Sequence, residues 1–71
     1  MIIKHTYMHP TFSYFTLMDG SVITYDVPAG SFLLGGVEHK FPPNNTEALQ
    51  EFLERFESVE ELRTFLYERE L

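Results

Sequence analysis

The stretch Thr11-Phe12-Ser13-Tyr14-Phe15-Thr16-Leu17-Met18-Asp19-Gly20-Ser21-Val22-Ile23-Thr24-Tyr25-Asp26-Val27 decides the fold of this chain. Two runs rich in β-branched and aromatic residues flank Asp19-Gly20, and a short Asp-Gly link between such runs is the strongest local signal for a β-hairpin. A two-residue loop implies a register in which Met18 faces Ser21, Thr16 faces Ile23, Tyr14 faces Tyr25 and Phe12 faces Val27. One side then carries Phe12, Tyr14, Met18, Ile23, Tyr25 and Val27 and is the expected core face. The opposite side receives Ser13, Phe15, Leu17, Val22, Thr24 and Asp26, which leaves an apolar trio, Phe15, Leu17 and Val22, on a nominally wet surface. Either a further layer covers that trio, as two-layer packing demands, or it is a patch for a partner.

Toward the N-terminus, Ile3, His5 and Tyr7 alternate with Ile2, Lys4, Thr6 and Met8 as a third strand, broken at Pro10 and expected to pair with the hairpin. Beyond Pro28-Ala29-Gly30, the segment Ser31 to Phe41 reads as a shorter hairpin around Gly35-Gly36. Pro42-Pro43 ends the β-rich part. Asn44 and Glu47 stand at capping-box spacing and open a helix in which Leu49, Phe52, Leu53 and Phe56 span about 100° of arc. Glu47, Glu51 and Glu54 fall on its opposite side. Ser58 and Glu61 form a second capping box, so the helix restarts there, with Val59, Leu62, Phe65 and Leu66 as the apolar stripe and Tyr67 pointing away. The expected architecture is α+β: a small antiparallel sheet of hairpins, then two short C-terminal helices packed on it. One domain over residues 1–71 is expected, β-rich in 1–41 and helical in 44–70.

With 71 residues and no cysteine, the chain has neither disulfides nor thiolate metal sites to staple it. Stability must come from packing, aided if need be by oligomerisation, and 44% apolar and 15% aromatic residues supply the material. Met1 to Thr6 lacks the pattern of a secretion signal, and no apolar run is long enough to cross a bilayer, so a cytoplasmic location is expected. Asn44-Asn45-Thr46 matches a glycosylation sequon but is read as a helix start.

The formal net charge of −6 is unevenly placed. Residues 1–46 carry −1, from Lys4 and Lys40 against Asp19, Asp26 and Glu38, and residues 47–71 carry −5, from eight Glu against Arg55, Arg63 and Arg69. Such a field repels phosphate backbones and anionic membranes and favours encounter with basic protein surfaces; maintaining solubility is its other use. Five Lys and Arg scattered among eleven acids form no basic stripe, so direct nucleic-acid contact is not expected.

No residue pattern points to catalysis. Gly30, Gly35 and Gly36 feed no phosphate-binding helix. His5 and His9 lie about 13 Å apart on an extended segment, too far for one metal ion. No serine stands in a nucleophile-elbow context, and the glutamates occupy a solvated helix face, whereas a catalytic acid and base pair needs a concave, partly dry site. Neither an enzyme nor a cofactor is expected. The remaining classes are an interaction protein and a structural, oligomer-forming subunit. For the first, the candidate partner-binding residues are Phe15, Leu17 and Val22 as an apolar patch, Glu47, Glu51 and Glu54 for steering, and Tyr67 as an aromatic anchor. A DNA mimic built on Glu47, Glu51, Glu54, Glu60 and Glu61 ranks lower, because Arg55, Arg63 and Arg69 interrupt the row.

In size, absence of cysteine and charge, the chain resembles the small proteins that bacteriophages encode to bind and redirect host transcription or defence complexes. That resemblance spans the whole chain, rests on no single motif and carries no functional residue across. It implies a small acidic regulator or inhibitor that docks on a basic surface of machinery such as RNA polymerase or a nuclease.

Overall fold

The computed structural model of the chain describes residues 1–70. Among the described residues run five strands, β1 (Ile3–Met8), β2 (Phe12–Leu17), β3 (Val22–Asp26), β4 (Ser31–Leu34) and β5 (Val37–Lys40), followed by two helices, α1 (Thr46–Glu54) and α2 (Val59–Glu70). The strands form one antiparallel meander in chain order, and the whole is the α+β arrangement expected from the sequence. The β4–β5 hairpin turns at Gly35 and Gly36, with φ of 60° and 82°, the doubly left-handed backbone that a tight two-residue turn requires.

The central hairpin corrects the expected register by one residue. Phe15 pairs with Ile23, Ser13 with Tyr25 and Tyr14 with Thr24. The loop has three residues: Gly20 N–H donates to Leu17 O at 2.9 Å, and Leu17 N–H donates to Ser21 O at 2.8 Å. A two-residue loop of the doubly left-handed type would need Asp19 at positive φ, whereas in this loop only Gly20, at 91°, adopts it. Asp19 instead turns its carboxylate onto the backbone N–H and the hydroxyl of Ser21. Those two hydrogen bonds, with Arg63 contributing less, hold its pKa below the ordinary carboxylate value.

Because side chains alternate along a strand, this single step moves Phe12, Tyr14 and Met18 off the core face and puts Phe15 and Leu17 onto it. Phe15, Leu17, Ile23 and Tyr25 are fully buried, while Tyr14, Met18 and Val22 are exposed. The expected trio is therefore split, with two members in the core and Val22 on the outer face. The physical reason is burial: only the three-residue loop sets Phe15 and Leu17 on the same side as Ile23 and Tyr25.

β1 departs from simple alternation too. A bulge lies between the pairs Ile3 with Leu17 and His5 with Thr16, so Ile2 and Ile3 both reach the core while Tyr7, opposite Tyr14, faces outward.

Both helices pack on the face bearing Phe15, Leu17, Ile23 and Tyr25. The first is capped one residue later than the capping-box pattern implies: Asn45, not Asn44, accepts from Ala48 N–H at 3.0 Å. Tertiary contacts select it. Asn45 N–H donates to the Tyr25 hydroxyl at 3.1 Å, and that hydroxyl donates to Phe41 O at 3.2 Å, tying the helix start to the sheet floor. Burial of this phenol pushes its pKa up. Asn44 takes a left-handed φ of 51° and directs its amide to Pro28 O at 3.0 Å.

α1 stops at Arg55, and Ser58 restarts the helix as expected, its hydroxyl accepting from Glu61 N–H at 3.1 Å. Leu49, Leu53, Leu62 and Leu66 fill the space over the sheet. The stripe residue Phe65 is not in that interior. It lies 40% exposed at the seam between helices, 5.7 Å from Phe52 and 5.4 Å from Phe56, ring centroid to ring centroid. Truncations should read this difference directly. Leu62→Ala is expected to cost about 2 to 5 kcal/mol, and Phe65→Ala only about 1 to 2 kcal/mol. Urea denaturation of both variants checks the order, and a larger loss for Phe65→Ala would contradict it.

Candidate functional site

With both helices on one side of the sheet, the molecule has two chemically different faces. The helix layer carries the acid. Polar positions of an amphipathic helix face water, and glutamates near a helix start are further favoured by its dipole; Glu47 occupies the first turn of α1, and Glu60 and Glu61 that of α2. Glu47, Glu51 and Glu54 are all exposed and line a shallow groove with Gln50 and Met8. Gln50 Nε2 donates to Glu54 Oε2 at 3.4 Å.

Two of the three arginines that interrupt the acidic row are turned to internal partners. Arg63 lies 3.6 Å from the Asp19 carboxylate, joining α2 to the β2–β3 loop. Arg69 donates to Lys40 O at 3.3 Å, at the end of β5.

Tyr67 is 67% exposed, as expected, but not beside the α1 glutamates. It lines a shallow depression with Leu34, Val37, His39, Arg63 and Leu66, over the β4–β5 hairpin, whereas the glutamate groove borders β1. Since β1 and β5 are the two edges of the sheet, the structure separates the aromatic anchor from the steering charges. Thus the candidate residues occupy four places: Phe15 and Leu17 in the core, Val22 on the outer sheet face, Glu47, Glu51 and Glu54 on α1, and Tyr67 on α2.

The aromatic cluster on the outer sheet face was missed by sequence reasoning, because the one-residue register error assigned Phe12 and Tyr14 to the core. Four rings meet there. Tyr7 lies 6.0 Å from Tyr14 and 6.1 Å from Phe12; Phe12 lies 5.3 Å from Tyr14 and 4.4 Å from the stacked imidazole of His9. His9 is held in this pose by its ring Nδ1, which accepts from Thr11 N–H at 3.2 Å. The alternation of Tyr7 in β1 and of Phe12 and Tyr14 in β2 was a signal for this cluster, once the register is known.

Among the described residues, no three of His, Cys, Asp or Glu converge as a metal-ligand group, and no helix is long and apolar enough to cross a membrane. No family model, curated protein or solved structure matches this chain.

Proposed function

We propose that this protein is a small non-catalytic binding module, a regulator or inhibitor that docks on a basic surface of a nucleic-acid-handling protein such as RNA polymerase or a nuclease, in the cytoplasm. The observation that carries this reading is the segregation of charge: Glu47, Glu51, Glu54, Glu57, Glu60, Glu61 and Glu68 are exposed on the helix layer, while Arg63 and Arg69 are drawn to internal partners. A layer of predominantly one sign raises the rate of encounter with the opposite sign and discourages like-charged partners. The same field argues against binding nucleic acid directly. A DNA-mimic reading gains some support from the two occupied arginines, although Arg55, exposed at the C-cap of α1, still interrupts the acidic row.

The test is a charge reversal. Each exposed carboxylate contributes about 0 to 1 kcal/mol, so single changes are expected to be nearly silent. Glu47→Lys, Glu51→Lys and Glu54→Lys combined should slow association with the captured basic partner several-fold, with a much smaller change in dissociation rate. The parent's association rate should fall as salt rises. Capture from lysate at low salt should enrich proteins with basic nucleic-acid sites. A folded triple variant that associates at the parent's rate at low salt would show the acidic layer to be a solvated surface only.

A further inference from the structure

An antiparallel sheet with one open face ordinarily alternates apolar residues inward with polar ones outward. This sheet breaks that rule. Its middle row, read across the strands from the pairings, is Tyr7, Tyr14, Thr24, Leu33 and Glu38. Tyr7 is 49% exposed, Tyr14 41% and Leu33 47%, and Val22 lies on the same outer side at 47%. An apolar patch of this kind on a small acidic chain marks an interaction surface.

We infer that the open sheet face is the interface of a symmetric homodimer, two copies stacking sheet on sheet with their helix layers outward. Charge selects the occupant. The outer face carries Asp26, Glu38 and Lys40, with Lys40 and Glu38 paired at 4.0 Å, so the face is close to neutral while the net charge of −6 resides mostly on the opposite layer. A second copy is one of the few partners sure to present the same neutral, aromatic surface. Stacked sheets lie about 10 Å apart, and a helix layer adds about another 10 Å on each side. The two acidic layers of the dimer then stand about 30 Å apart, several Debye lengths at physiological salt. A dimer through the helices would instead oppose acid to acid.

The face is self-complementary about a two-fold axis along β3, which sets Tyr14 over Leu33 of the second copy and Tyr7 over its Glu38. Area sets the strength. Five strands at about 4.8 Å spacing and about six residues long give a face of roughly 20 by 20 Å. Two such faces cover about 800 Å² before the rim contributes, near the ~1,000 Å² at which specific interfaces begin. The dimer is accordingly weak, with a dissociation constant of micromolar order or above.

Sedimentation equilibrium of the full chain from about 1 μM to 1 mM tests this. The expected result is a mass rising from 8.3 kDa toward twice that value, and unchanged or strengthened by added salt because apolar contact dominates. Leu33→Asp, on an exposed position, should weaken self-association at least about tenfold while leaving the circular dichroism and melting of the monomer near the parent's. Tyr14→Asp provides the second variant should Leu33→Asp perturb the fold. A monomer at 1 mM, or a dimer that survives both substitutions, overturns the inference. So does a monomer whose tyrosine fluorescence is quenched by a single-stranded oligonucleotide, since the aromatic face would then be a base-stacking platform.

Discussion

Leu17→Glu is expected to abolish folding at neutral pH, whereas Val22→Glu is expected to leave the monomer folded. Leu17 is fully buried between sheet and helices and Val22 stands on the outer face at 47% exposure, although the two lie only five positions apart around the same turn. Replacing Leu17 removes about 2 to 5 kcal/mol of apolar packing and places a carboxylate within the apolar core cluster, a further cost of several kcal/mol. A domain of this length has on the order of 4 to 10 kcal/mol of total stability. The sum therefore exceeds or matches what holds the fold together. At Val22 the new carboxylate remains in water, and surface changes of that kind usually fall within about 0.5 kcal/mol. Dispersion in the amide NMR spectrum separates the outcomes: collapsed shifts for Leu17→Glu and a native spectrum for Val22→Glu. Equal behaviour of the two variants would mean that the hairpin register described above is wrong.

The second large effect is expected at Gly30. Its φ of 66° is left-handed, and a Cβ there would clash with Asn44 Oδ1 and meet Asn44 Cγ at 3.0 Å. Asn44 has little room to yield, because its own φ is 51° and its amide is committed to Pro28 O. The same junction carries backbone bonds from Gly30 N–H to Asp26 O at 2.9 Å and from Phe41 N–H to Gly30 O at 2.7 Å. Gly30→Ala should thus cost about 1 to 2 kcal/mol in backbone strain, with about 1 to 3 kcal/mol more where the Asn44 hydrogen bond is lost. A double-mutant cycle separates the parts. On an Asn44→Gly background the steric part disappears while the strain remains, so Gly30→Ala should be cheaper there by more than 0.5 kcal/mol, the usual sign of coupled neighbours. Additive denaturation energies would place the two residues out of contact.

The order and kind of the elements were legible in the residues alone. β-rich runs punctuated by Asp19-Gly20 and Gly35-Gly36, then two apolar stripes separated by Ser58, are local patterns, and each formed where expected. The placement of acid on exposed helix positions was legible as well, because helical periodicity opposes Glu47, Glu51 and Glu54 to the buried Leu49 and Leu53.

What only the tertiary structure decided is which face of each strand turns inward. The strand period is two, so one extra loop residue at Met18 reverses inside and outside for all of β2, and no local preference distinguishes Tyr14 from Phe15 as a core residue. The choice came from packing, which buries Phe15 and Leu17 with Ile23, Tyr25 and the helix leucines. The same holds at the start of α1. Asn44 and Asn45 are chemically identical caps, and the Tyr25 hydroxyl, twenty positions away, satisfies the Asn45 N–H and so selects the second. The candidate site shared that fate: its charged part follows from helical period, while its aromatic part depends on a register that long-range burial alone resolves.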